Sequence, residues 1–120
     1  MRTRSSDTVR VRFLDGGRVV GELRRTAQEL VAGCPNVQEV RLFGSLAKGN
    51  YAPGSDADVL IVLREDERPL LDRIPEFLRW FLKVSVPVEV FPYTCEEVER
   101  MRGRGVSFIK GIDREGIRLA

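Results

Sequence analysis

The chain has 120 residues, 42% hydrophobic and 32% charged, with a net charge of +2, the balance of one globular domain spanning 1–120. It has no histidine and two cysteines, Cys34 and Cys95, in no CxxC pair, which excludes Ser-His-Asp and Cys-His catalysis and argues against zinc and a disulfide. No apolar run reaches the ~20 residues of a membrane span, and the N-terminus lacks a signal peptide's apolar stretch, so the expectation is a cytoplasmic protein without membrane contact. Basic residues are spread along the chain, which reads as a solvated surface; direct nucleic-acid binding is not expected.

Taken in order, "TVRVRFL" (8–14) alternates apolar and polar residues like a short half-buried strand, and "DGG" follows as a turn with Asp15 as a helix cap. Val20, Leu23, Ala27, Leu30 and Val31 recur at helical spacing over 18–31, and Gly33 and Pro35 end that helix. "VQEVRLFG" (37–44) predicts a strand, and "SLAKGN" at most one helical turn before Gly49. After the loop "YAPGS" comes "DADVLIVL" (56–63), whose tail is apolar at every position, as in a central strand covered on both faces.

"REDERP" is a charged loop, and Pro75 is placed in the first turn of a helix with the stripe Ile74, Phe77, Leu78, Phe81 and Leu82. Trp80 lies off that stripe and reads as partly buried. "VPVEVF" (86–91) predicts a third core strand. Thr94 followed by Glu97 is a capping-box signature for a short helix over 94–102. The segment 106–120 reads as a helical turn or two, a stop at Gly116 and a terminal strand of three or four residues. The fold class is α/β (α+β): a small mixed sheet backed by two main helices.

The chemistry concentrates between 42 and 63. Gly44-Ser45 is expected to close a strand and open a short helix; Gly44 allows close backbone approach to a ligand, while Ser45 and the free amides at a helix start suit phosphate oxygens. Eleven residues after Ser45 come Asp56 and Asp58, one residue apart and therefore on one face of a strand. Such a pair repels itself unless it fans into water or holds a cation. Glu89 interrupts an apolar strand and would join the pair if strands 56–63 and 86–91 are neighbours. Oxygen donors beside a phosphate cradle suit Mg²⁺.

At Gly44-Ser45, Asp56-Ala57-Asp58 and Glu89 the chain resembles the nucleotidyltransferase domain of the DNA polymerase beta superfamily. The stretch "GSLAKGNYAPGSDAD" is similar to the minimal nucleotidyltransferases (MNT), antitoxin-like partners of HEPN proteins. The resemblance implies the nucleotidyltransferase fold and transfer of a nucleoside monophosphate from an NTP, ATP in the first instance, to a hydroxyl. It implies Asp56, Asp58 and Glu89 as catalytic residues and ligands of two Mg²⁺ ions, with Mn²⁺ as a substitute. Gly44, Ser45, Lys48 and Ser55 are the nucleotide-binding candidates; Lys48 stands where the family more often has Arg, and Glu89 where it has Asp. Each residue alone has an ordinary structural reading: Ser55 as a turn former, Lys48 as a solvated charge, Glu89 as an exposed edge residue. The implied partner is a HEPN-type protein. The alternative is a non-catalytic antitoxin or NTP-binding module that acts by binding a partner.

Overall fold

The computed structural model describes residues 16–50 and 56–120. The expected strand 8–14, the Asp15 cap and Ser55 lie outside them. The elements run α1 (Gly16–Gly33), β1 (Val37–Phe43), β2 (Ala57–Leu63), α2 (Leu70–Leu78) with a 3₁₀ turn (Arg79–Phe81), β3 (Val88–Thr94), α3 (Cys95–Gly103), α4 (Ser107–Glu115) and β4 (Ile117–Arg118).

The four strands form one mixed sheet in the order β3-β2-β1-β4. β1 pairs antiparallel with β2 and with β4, and β2 pairs parallel with β3. The terminal strand is extended by Leu119 N–H donating to Val40 O and Val40 N–H donating to Ala120 O. β2 is central, and its alternation sorts the core. Ala57, Val59, Ile61 and Leu63 pack with α1 and the α2 region, whereas Leu60 and Val62 pack with α3 and α4. The expectation of two backing helices therefore describes one face; two shorter helices cover the other.

α1 buries Val19, Leu23, Ala27 and Leu30, one stripe of a 3.6-residue helix, each leucine contributing about 2 kcal/mol. Val20 and Val31, expected in that stripe, flank it half-buried. α2 departs from expectation in two ways. It starts at Leu70 with Pro69 as its cap residue, so Pro75 lies inside the helix rather than in its first turn and removes one internal hydrogen bond. The chain then tightens into the 3₁₀ turn, and Leu82, expected in the core, is 72% exposed. Three residues per turn shift the phase of the stripe and rotate Leu82 outward. Trp80 is half-buried against Gly33, where an added Cβ would lie 2.9 Å from the indole.

β3 runs two residues later at its start and three later at its end than expected, from Val88 to Thr94. It tolerates Pro92 because it is an edge strand among the described residues, where a missing N–H leaves no neighbour unsatisfied. The capping box is formed: Glu97 N–H donates to Thr94 Oγ1 at 3.1 Å and Thr94 N–H donates to Glu97 Oε1 at 2.8 Å. Glu97 also accepts both terminal nitrogens of Arg73, at 2.7 and 3.0 Å. Arg73, buried in α2, further donates to the carbonyls of Arg68, Pro92 and Asp66. One guanidinium thus ties the charged loop, α2, β3 and α3 at the end of the sheet where β2 and β3 finish.

Candidate functional site

At the opposite end, where β2 and β3 begin, the candidate residues assemble. β1 ends at Phe43, and Gly44 follows with φ +81°, a left-handed conformation that favours glycine. The reason for glycine is also steric: an added Cβ would lie 2.5 Å from Asp58 Oδ2. The backbone of the turn is therefore packed directly on the Asp58 carboxylate.

The segment after Gly44 is a run of hydrogen-bonded turns rather than the start of a short helix, because Gly49 and Asn50 bond back to Leu46 and Ser45 within it. Lys48 N–H is shared between the carbonyls of Gly44 and Ser45, Gly49 N–H donates to Leu46 O and Asn50 N–H donates to Ser45 O. The N–H groups of Ser45, Leu46 and Ala47 have no carbonyl partner among the described residues, so the turn keeps free donors beside Asp58. Ser45 itself is exposed.

Register brings the acids together. Phe43 of β1 pairs with Asp58 of β2, and Asp58 pairs with Glu89 of β3. Paired residues of neighbouring strands share a face of the sheet, so Glu89 stands on the Asp58 face, as expected if these strands were adjacent. Asp56 sits two residues ahead of Asp58 and is exposed, as is Glu89, whereas Asp58 is half-buried. Burial pushes the Asp58 carboxyl above the ordinary carboxylate range, and the charges of Glu89 and then Asp56 push it further. Among the described residues no Lys or Arg pairs with any of the three, and no three acidic side chains are close enough together to hold a metal ion between them. An oxygen-only set with uncompensated mutual repulsion suits a hard divalent cation, which would relieve that repulsion.

The floor beside the acids is aromatic, a feature the strand pattern did not reveal. Phe43, Phe91 and Phe108 form a triangle with ring centroids 5.3 to 5.7 Å apart, favourable edge and tilted contacts. Phe108 comes from α4, so only tertiary packing places it there. Lys48 leaves the turn toward α4, where its Nζ lies 3.6 Å from Glu115 Oε1. Of the nucleotide-binding candidates, Gly44 adjoins the acids, Ser45 follows on the same turn and Lys48 stands at its far side.

Among curated proteins no sequence matches the chain. A proposed nucleotidyltransferase from Sulfolobus solfataricus has a similar structure, with a TM-score of 0.62, 23% identity, and 87% of this chain and 81% of that one covered. A toxin–antitoxin protein crystallised with AMP-PNP is also similar, with a TM-score of 0.55, 18% identity and coverage of 84% and 72%. At these identities the likeness is one of fold. The profile of the nucleotidyltransferase domain matches residues 20–118, which spans the Gly44 turn, the three acids and all four strands of the sheet. The chain belongs to the nucleotidyltransferase domain family.

Proposed function

We propose that the protein moves AMP from ATP to a hydroxyl group of a partner protein, a tyrosine on a HEPN-type toxin being the acceptor the resemblance favours. The observation that carries this reading is the row Phe43–Asp58–Glu89 across three strands, with the Gly44 backbone packed on the Asp58 carboxylate. The family supports nucleotidyl transfer in general. The toxin–antitoxin neighbour crystallised with AMP-PNP supports ATP and a protein partner.

In this reaction the acceptor oxygen attacks the α-phosphorus. A new P–O bond forms as the bond to the oxygen bridging toward the β-phosphorus breaks, and pyrophosphate leaves with the bonding pair. Glu89, exposed at the start of β3, takes the hydroxyl proton. The free amides of the Gly44–Ala47 turn receive phosphate oxygens, and the close approach at Gly44 keeps those oxygens beside Asp58. Asp56, Asp58 and Glu89 would hold two Mg²⁺ or Mn²⁺ ions, whose contribution when bound is to neutralise the triphosphate and acidify the acceptor hydroxyl.

The test is incubation with labelled ATP, Mg²⁺ and a HEPN-type protein as the acceptor. Wild type should transfer label to the partner, and Asp58→Ala should not, while keeping its fold. Mg²⁺ with ATP should also raise the melting temperature, since a ligand that binds only the folded state stabilises it. A melting curve unmoved by saturating Mg-ATP, with no label transferred, would sink the proposal. If Asp58→Ala still neutralises the partner in cells, protection comes from binding rather than transfer.

A further inference from the structure

A groove of about 220 Å³ lies between the Gly44 turn and α4, lined by Phe43, Gly44, Lys48, Phe108, Ile112 and Glu115. It opens directly beside the acids, because Phe43 is the cross-strand partner of Asp58 and Gly44 touches the Asp58 carboxylate. Its floor is aromatic and its rim carries one cation and one anion. Lys48 Nζ and Glu115 Oε1 are 3.6 Å apart, each side chain about half exposed. The second cation near Glu115 is Arg114, at 4.0 Å.

The backbones behind this pair are anchored. Gly116, next to Glu115, donates its N–H to Ile112 O at 2.8 Å. A Cβ at Gly116 would lie 2.6 Å from that oxygen and 3.3 Å from Leu42 O of β1, so the end of α4 is seated against the sheet. Lys48 is held through its own N–H to Gly44 O and Ser45 O. The fold therefore fixes the two backbones that carry these charges, and the side chains meet across the rim. A lysine has three donors on a flexible stem and can exchange one anion for another without moving its backbone.

We propose that Glu115 is a positioning residue that holds Lys48 at the rim of the nucleotide site and competes with the phosphate chain for it. This rests on the nucleotidyl-transfer reading above. In the free protein the carboxylate occupies the ammonium. A bound triphosphate takes Lys48 from Glu115 and then lies close to a like charge. Glu115 thereby loosens polyphosphate binding and favours departure of pyrophosphate, while a monophosphate, too short to engage Lys48, is indifferent to it. One charge a few ångströms away at a wetted surface alters affinity roughly fivefold.

The experiment measures equilibrium binding of Mg-ATP, Mg-pyrophosphate and AMP to the full chain in wild type, Glu115→Gln, Lys48→Ala and the double variant. An exposed ion pair contributes little to stability, so all four should fold. Glu115→Gln is expected to tighten ATP and pyrophosphate about fivefold and leave AMP unchanged. Lys48→Ala is expected to weaken both polyphosphates, and most of the Glu115→Gln gain should vanish in the double variant. Unchanged or weaker ATP binding by Glu115→Gln overturns the proposal. So does equal tightening of AMP, or a gain that survives in full without Lys48. Failure of wild type to bind Mg-ATP at all overturns the nucleotide-site reading itself, and this inference with it.

Discussion

Asp58 and Glu89 face each other across the parallel pairing of β2 and β3, two carboxylates from segments about thirty residues apart in the chain. The pairing makes Asp58 the middle of a row, with Phe43 on one side and Glu89 on the other. Burial and these neighbouring charges together hold its carboxyl above the ordinary range. An arrangement that costs the free protein stability and has no cation among the described residues to offset it is one that a bound ligand improves.

The first expectation concerns Glu89. Glu89→Gln keeps the shape and removes the base, so single-turnover transfer should slow by about 10²-fold or more, with ATP affinity little changed. Glu89→Asp should retain substantial activity. Two silent substitutions would return Glu89 to the role of an exposed edge-strand residue.

Asp58 gives a pH-dependent expectation. Its folded pKa is raised from 3.8, so the native state binds that proton more tightly than the unfolded chain. The resulting stabilisation is present below 3.8 and lost as pH rises through the folded value. At neutral pH the ionised carboxylate works against folding. Asp58→Asn should therefore raise the metal-free melting temperature by a few degrees at neutral pH, and the gain should disappear in acid. A variant less stable than wild type at neutral pH would contradict the repulsion argument.

Gly44 is constrained twice, by φ +81° and by the 2.5 Å approach of an added Cβ to Asp58 Oδ2. Gly44→Ala should lower stability by about 2 kcal/mol in denaturant titrations. In an Asp58→Ala background the steric part is relieved and the backbone part remains, so the loss should shrink without vanishing. Equal losses in the two backgrounds would mean that the turn does not press on Asp58.

Arg73 should matter to stability rather than chemistry. Its side chain is 4% exposed and pairs with Glu97 at 2.7 Å. Arg73→Met removes a guanidinium that also satisfies three carbonyls, for a loss of about 3 kcal/mol. Lysine cannot restore the forked geometry, so Arg73→Lys should recover little of it. A melting temperature unchanged in Arg73→Met would refute the clamp.

Acid sensitivity should be traceable to Asp66. Its hydrogen bond from Arg68, with the nearby Arg73 charge, holds its carboxyl at about 2, below the ordinary 3.8. The stabilisation is present above 3.8 and lost as pH falls through about 2. Asp66→Asn should lower stability at neutral pH by about 1 kcal/mol, allowing for solvent screening. The difference from wild type should close near the acid end of a pH series.

The division between what the chain order reveals and what packing decides follows the range of the interactions. The stripe of α1, the capping box of Thr94 and Glu97, the buried run of β2 and the Gly44 turn are governed by contacts a few residues apart, and all can be read from spacing. So can the grouping of Asp56 with Asp58, because a strand points alternate residues to one face. The 3₁₀ tightening that turns Leu82 outward, the burial of a charged Arg73 in an apolar stripe, and the passage of β3 through Pro92 all escape such reading. Each depends on partners distant in the chain: the carbonyls and Glu97 around Arg73, and an edge position that excuses the proline. The same holds for the site. Residue types suggest that Glu89 joins the two aspartates, but only the parallel register sets it opposite Asp58. Phe108 and Glu115 reach the site because α4 folds back over β1, a placement set by long-range packing that no local periodicity encodes.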